Sequence, residues 1–283
     1  MNPLARGPDA ISPTAHYTGY VWGRNGLSHP ELTTHEGLVL WSAVAPAMTA
    51  SRVLGGPTLE GMLLARHRII DHLLADAIED ERVTQVIEVA CGLSPRGWRF
   101  AERFGDRVTY VETDLPAMAG RKRRALERMG GETEHHRVVD LDALRDDGPG
   151  SLAAVAGTLD AGAGLAIVTE GLLNYFGTDD VLGMWRRFAR ALEPFSAGLY
   201  LADLHVAGAN EGVFARGFEA ALGLFVQRRV QAHFADEEDA VAKLRAAGFD
   251  RATLHRADRH PAAGDAGRDP AAGRVHVVEA MAV

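Results

Sequence analysis

Residues 86–100 read VIEVACGLSPRGWRF: a run of strand-forming residues around Glu88, a small-residue turn Ala90-Cys91-Gly92, and then the Arg-Gly-Trp-Arg of a helix start. A buried strand that empties into such a turn presents backbone N–H groups to a ligand at the N-terminus of the following helix. A dinucleotide fingerprint would place three glycines there. This turn has Gly92 and Gly97 only, and Ala90 stands where a first glycine is expected. The stretch therefore poses a choice between a degenerate dinucleotide turn and the loop of another nucleotide-derived cofactor.

Outward from this stretch, strands and helices alternate. Strand patterns fall at 85–89, 108–112, 136–139, 165–169, 198–204, 252–255 and 275–280, with helical patterns at 97–104, 118–129, 181–192 and 237–247. Such alternation predicts a mostly parallel sheet covered on both faces. The end of the chain departs from it. After the helix stopped by Gly248 and one more strand, the Gly/Pro/Asp-rich loop DRHPAAGDAGRDPAAGR leaves no room for a crossover helix, so the last two strands pair antiparallel. The expected fold is α/β and Rossmann-like, with a seven-stranded, mostly parallel sheet and an antiparallel last strand. Residues 31–80 carry helical periodicity, whereas residues 1–30 show none. This organisation predicts an N-terminal cap or lid over 1–80, a ligand-binding domain over 81–283, and a cap insertion at about 206–234.

Composition narrows the partners. A net charge of -8 and a pI near 5.8 disfavour nucleic acid and anionic membranes. The single cysteine, Cys91, cannot close an internal disulfide. With no apolar run of membrane-spanning length and no signal-like N-terminus, the expected location is the cytoplasm. The twelve histidines form no metal-binding pattern, so no metal is expected. The basic run at 121–124, RKRR, reads as the solvated face of a surface helix. Trp98 and Trp185 read as core.

Each strand of the first half ends in a carboxylate. YVETDLP places Asp114 about 20 residues past the glycine turn, where a ribose diol is held in nucleotide-binding α/β folds, with Glu112 as a competitor. VVDLD places Asp140 at the C-terminal edge of the sheet, where it either accepts from an adenine amino group or caps a helix. TEGLLNYF brings Glu170 out of an apolar run, where it needs a polar partner, either a ligand ammonium or an arginine.

Taken together, VIEVACGLSPRGWRF, VETDLPAMAGRKRRAL, VVDLDAL and TEGLLNYF, in that order, resemble the leucine carboxyl methyltransferase family of class I S-adenosylmethionine-dependent O-methyltransferases, including its bacterial polyketide-tailoring members. GMLLARHRIIDHL is similar to the family helix that brings an arginine to the cofactor. The resemblance implies that Arg66 holds the cofactor's methionine carboxylate and that Glu88, Ala90 and Gly92 form the turn beside it. It further implies that Asp114 and Leu115 take the ribose, Asp140 and Leu141 border the adenine, and Glu170 faces the amino-acid end. The family often has Gly-x-Gly followed by Leu-Asp-Thr-Arg; here Ala90-Cys91-Gly92 and Leu93-Ser94-Pro95-Arg96 stand instead.

The expected activity is transfer of a methyl group from S-adenosylmethionine, giving S-adenosylhomocysteine, to the carboxylate or hydroxyl of a small secondary-metabolite-like acceptor. The acting protein is expected to be a monomer or homodimer. A carboxylate needs no base, whereas a phenol benefits from one; His205, just past the fifth strand, is the positional candidate. Tyr17, Tyr20, Trp22 and Tyr175, with Phe214, Phe218 and Phe225 of the insertion, form a candidate aromatic wall for a flat acceptor. Two other readings remain open: an NAD(P)-dependent oxidoreductase on a degenerate turn, and a non-catalytic methyltransferase-like binding protein.

Overall fold

Five short apolar runs form parallel strands: β1 (Gln85–Val89), β2 (Thr109–Asp114), β3 (His136–Asp140), β4 (Leu165–Thr169) and β5 (Gly198–Leu204). Two more, β6 (Arg251–Arg256) and β7 (His276–Ala282), complete the sheet. This is a computed structural model, and it describes residues 13–206 and 233–282. The sheet order is β3-β2-β1-β4-β5-β7-β6. Strand β7 runs antiparallel to both β5 and β6, which makes it the reversed strand that the loop chemistry predicts.

The period of two along each strand divides the core into two layers. Val86, Ala166, Val168, Leu199, Leu201 and Val277 point to one face, where they pack with α3 (Leu59–Glu79) and α4 (Arg96–Phe104). Ile87, Val111, Ile167, Tyr200, Ala202 and Val278 point to the other, against α7 (Thr178–Leu192) and α8 (Glu237–Ala247). Between α4 and α7 in the chain, α5 (Pro116–Arg128) covers β3, and the short α6 (Leu152–Ala156) closes the second layer. Trp185 is fully buried in that layer and stacks on Phe234. Among the described residues no helix is long and apolar enough to cross a membrane, and no group of side chains is arranged to hold a metal.

Three features stand beside the sequence expectation. First, α3 packs onto the sheet: its Leu59, Ile69, Ile70 and Leu74 share one core with the sheet residues Val86 and Leu201. Second, α1 (Pro13–Arg24) and α2 (His35–Val53) precede α3, although 13–24 carries no helical period. The α1 segment holds polar and apolar groups on all sides because it packs between α2, α3 and the turn at Pro30–Leu32, so Tyr17, Thr18, Val21 and Trp22 are all covered. Third, the 258–274 loop does form short 3-10 turns, at Pro261–Arg268 and Ala272–Arg274. Its Asp269 accepts from Thr58 at two points, 3.0 Å from N and 2.5 Å from Oγ1, and so fixes the N-terminus of α3.

One member of the basic run leaves the solvated face that the other three share. Lys122 is fully buried, with Nζ 3.0 Å from Glu112 Oε1 and donating to the Ser94 carbonyl. His136 Nε2 stands 3.4 Å from the other Glu112 oxygen. Burial alone pushes the Glu112 carboxyl up; Lys122 and His136 together bring it below its ordinary value. Glu112 explains Gly97 as well, because a Cβ there would lie 2.3 Å from Glu112 Oε1.

Lys122→Ala would leave the Glu112 carboxylate buried without its cation, so we expect a loss of about 3–5 kcal/mol in denaturant unfolding. Replacing both partners by Leu and Met should recover most of that loss. After β1 the turn holds Ala90 at φ 55° and Gly92 at φ 54°, and the first is a left-handed conformation that an alanine adopts at a cost of about 1–2 kcal/mol. Ala90→Gly should therefore raise unfolding stability by about 0.5–1 kcal/mol after the added chain entropy is subtracted. Burial holds the imidazoles of His16, His233 and His260 below the ordinary 6.5. As pH drops below about 6.5 the unfolded chain takes up these protons before the folded one does, so stability falls. Melting temperature should decline from pH 7.5 to 5.5, and less steeply once the three histidines are replaced by glutamine.

Candidate functional site

The chain reverses direction of travel across the sheet between β1 and β4, the place where parallel α/β sheets open a crevice at their C-terminal edge. A cavity of about 520 Å³ lies there. Its floor is the β1 turn Val89–Leu93, its sides come from the ends of β2 and β4, and α1 with the first two turns of α3 roofs it.

Asp114 joins the first two strands. Its Oδ2 accepts from Gly92 N at 2.8 Å and its Oδ1 from Leu115 N at 2.8 Å. Burial raises this carboxyl above its ordinary value, against the two N–H donors that favour its charge. The turn is pinned further by Cys91 N to Thr113 O at 2.9 Å. A carboxylate so fixed has its outer lone pairs left to accept from vicinal hydroxyls.

Behind the β4 end lies a buried ionic network. Arg66 donates from Nε to Glu170 Oε1 at 3.1 Å and from Nη1 to Asp203 Oδ2 at 2.7 Å. Arg96, wholly buried, reaches Asp71 at 2.6 Å, Glu88 at 2.7 Å and Glu170 at 2.5 Å. His67 Nδ1 lies 2.8 Å from Glu170 Oε2, and Tyr110 donates to Glu88 at 2.8 Å. Burial alone would raise the Glu170 carboxyl, but His67, Arg96 and Arg66 bring it far below the ordinary value. Glu170 is thus an ionised anchor that orients Arg66, with arginines as the polar partners that its sequence context demands.

Of the side chains singled out in the sequence, the structure brings Arg66, Ala90, Gly92, Asp114, Leu115, Leu141, Glu170, Tyr17, Trp22, Tyr175 and His205 to the cavity wall. It does not bring Glu88, Asp140 or Tyr20. Glu88 faces the opposite layer and is consumed by Arg96 and Tyr110. Asp140 is drawn to the surface by Arg123 from α5. Tyr20 lies against Trp41 of α2, ring centroids 5.6 Å apart. Phe214, Phe218 and Phe225 lie outside the described residues.

Asn174 is the wall residue that sequence reasoning passed over. It is 8% exposed, and its amide Oδ1 has no hydrogen-bond partner among the described residues. The signal was its position four residues after Glu170 in TEGLLNYF, which keeps it at the same strand end. An orphaned acceptor in a cavity wall fits a ligand donor such as an ammonium. Met62, Leu63, Met118, Leu172 and Phe176 add apolar wall.

The profile of the family described as leucine carboxyl methyltransferase matches residues 36–188, more than half of the chain. A protein of Mycolicibacterium smegmatis with the provisional name S-adenosyl-L-methionine-dependent methyltransferase is 37% identical over 103 residues, which are 36% of this chain and 33% of that protein. The chain thus spans about a third of the length of the curated relatives it matches. In fold it is similar to a solved structure from Thermobifida fusca provisionally named a methyltransferase, with TM-score 0.65 and 11% identity over 95% of this chain and 94% of that one. It is also similar to magnesium protoporphyrin IX methyltransferase from Synechocystis, solved with S-adenosylhomocysteine bound. That match has TM-score 0.50 and 13% identity over 88% of this chain and 100% of the other. With its seven-stranded sheet, reversed β7 and acidic strand ends, the chain belongs to the leucine carboxyl methyltransferase family, whose cofactor is S-adenosylmethionine.

Proposed function

We propose that the cavity binds S-adenosylmethionine and that the protein transfers its methyl group to an oxygen of a small-molecule acceptor. The observation that carries this reading is the Asp114 carboxylate, locked by the Gly92 and Leu115 amides at the crevice and facing the cavity. It is suited to a ribose diol, and no three-glycine cradle for a pyrophosphate accompanies it. The sulfonium cofactor has no pyrophosphate, so Ala90 is compatible with it.

The residues present fit such a group. Arg66 keeps Nη2 outside its bonds to Glu170 and Asp203, and that nitrogen suits a single carboxylate. The unpartnered Asn174 Oδ1 suits the neighbouring ammonium, the role first expected of Glu170. Asp114 takes the ribose hydroxyls, and Leu115, Leu141 and Met118 offer apolar surface to the base. When bound, the cofactor supplies an electrophilic methyl on a sulfonium whose departing thioether needs no acid.

What the chain's own residues contribute is alignment and exclusion of water. Tyr17 and Trp22 from α1 and Met62 and Leu63 from α3 cover part of the crevice with apolar surface, which orients the reacting groups and limits water around them. The Tyr17 hydroxyl is pushed up by burial and stays a neutral phenol. Tyr175 donates to Thr14, which ties the β4 loop to the start of α1. The apolar walls and the modest volume favour a small, flat acceptor.

Calorimetry with S-adenosylhomocysteine tests this reading: the folded protein should bind it. Asp114→Asn should weaken that binding by about tenfold or more, because one charge-assisted pair of hydrogen bonds is lost. Its melting temperature should fall by a few degrees, because the asparagine NH2 faces one of the two backbone donors, so affinity is compared well below the transition. A well-folded protein with no affinity for S-adenosylhomocysteine would falsify the proposal.

A further inference from the structure

His205 sits one residue past the end of β5, in the cavity wall. Its Nδ1 is 2.9 Å from the carbonyl oxygen of Arg274. A carbonyl only accepts, so the proton is on Nδ1 and the lone pair is on Nε2. Nε2 forms no hydrogen bond among the described residues, nor is it a sealed, unsatisfied atom. Among the described residues, the charged and titratable groups that act on the ring are Asp203 of its own strand, Arg66 of α3 and His276 of β7. Burial is the largest influence and holds the imidazole below its ordinary value, against Asp203 and the Arg274 carbonyl.

The cavity's charges are otherwise one-sided. Among the described wall residues Arg66 is the single cation, while Asp114, Asp142 and Glu170 are carboxylates. Two of the three Arg66 nitrogens already serve Glu170 and Asp203, so one remains for one incoming carboxylate. Under the reading above, that carboxylate belongs to the cofactor. An acceptor carboxylate would then enter an apolar, acid-flanked space with no cation to offset its desolvation.

We infer that the acceptor offers an un-ionised hydroxyl on a flat apolar body, and that His205 Nε2 takes its proton during transfer. This rests on the cavity being the methyl-transfer site. As the oxygen forms its bond to the methyl carbon, the carbon–sulfur bond breaks and its electron pair stays on sulfur as the thioether. The hydroxyl proton passes to Nε2, and the resulting imidazolium returns it to solvent. A phenol titrates near 10 and is protonated at pH 7, so a base within hydrogen-bond reach contributes about 10²–10⁴ in rate. Nδ1–H anchored on the Arg274 carbonyl fixes the ring in the cavity wall and leaves Nε2 as its basic nitrogen.

The test uses 2-naphthol and 2-naphthoate, matched in size, with wild type and His205→Gln. Both proteins should bind S-adenosylhomocysteine with affinities within a few fold of each other. Wild type should give an alkali-stable methyl ether from naphthol, with a rate that falls as pH drops through the His205 titration. That titration should appear by NMR below pH 6.5, as a ring signal absent from the variant. His205→Gln should lose about a hundredfold or more in kcat with little change in KM, and its pH profile should flatten. The S-adenosylhomocysteine-loaded protein should bind naphthol at least tenfold more tightly than naphthoate. An alkali-labile ester, a variant as active as wild type, or a protein that neither binds the naphthol when loaded with S-adenosylhomocysteine nor methylates it when supplied with S-adenosylmethionine overturns the inference. Failure of wild type to bind S-adenosylhomocysteine at all overturns the underlying methyl-transfer reading instead.

Discussion

The guanidinium of Arg96 is the interaction on which the site depends. It comes from the first position of α4, is wholly buried, and reaches α3 through Asp71, β1 through Glu88 and the β4 end through Glu170. A desolvated cation tolerates that environment only when carboxylates surround it, and those carboxylates tolerate burial only because it is there. Removing any one member leaves a charge stranded in the core. Three secondary-structure elements that meet at the cavity are therefore held in one geometry by mutual need for charge compensation. Apolar packing alone would let them slide.

This arrangement explains a division of labour among acidic residues that look alike in sequence. Glu88 and Glu170 both stand at strand ends in the apolar centre of the sheet, and both are consumed by arginine. Asp114 stands one strand over, is held by two backbone amides instead, and keeps capacity for a ligand. The distinction lies in what donates to each carboxylate: a cation neutralises it, whereas amides orient it and leave its charge in place.

The seven strands, their mostly parallel sheet and the reversed last strand were legible in the sequence, because strand–helix alternation and a loop too poor for a crossover helix are local signals; the strand order was not. So was the role of Asp114 as a carboxylate at the crevice, since a fixed spacing from the turn carries it there. The fate of RKRR was not. Lys122 is buried because Glu112 on β2 faces it, and Glu112 reads equally well as a solvated strand end. Asp140 escaped for the same reason, since its partner Arg123 lies on another element. α1 was hidden because a helix enclosed on all sides has no amphipathic period to read. Asn174 offers in sequence only its place four residues after Glu170; its empty acceptor, seen in three dimensions, is what marks it.

The clamp between Thr58 and Asp269 bears on how the protein is made. The helix that presents Arg66 is synthesised early, yet its N-terminal anchor is encoded 211 residues later, in the loop before the reversed strand. During synthesis the parallel strands can pair in order as they emerge, while α3 lacks its final seat until that loop has left the ribosome. Seating of Arg66 thus waits on residue 269, and a nascent chain stopped short of it holds α3 without the anchor of its N-terminus.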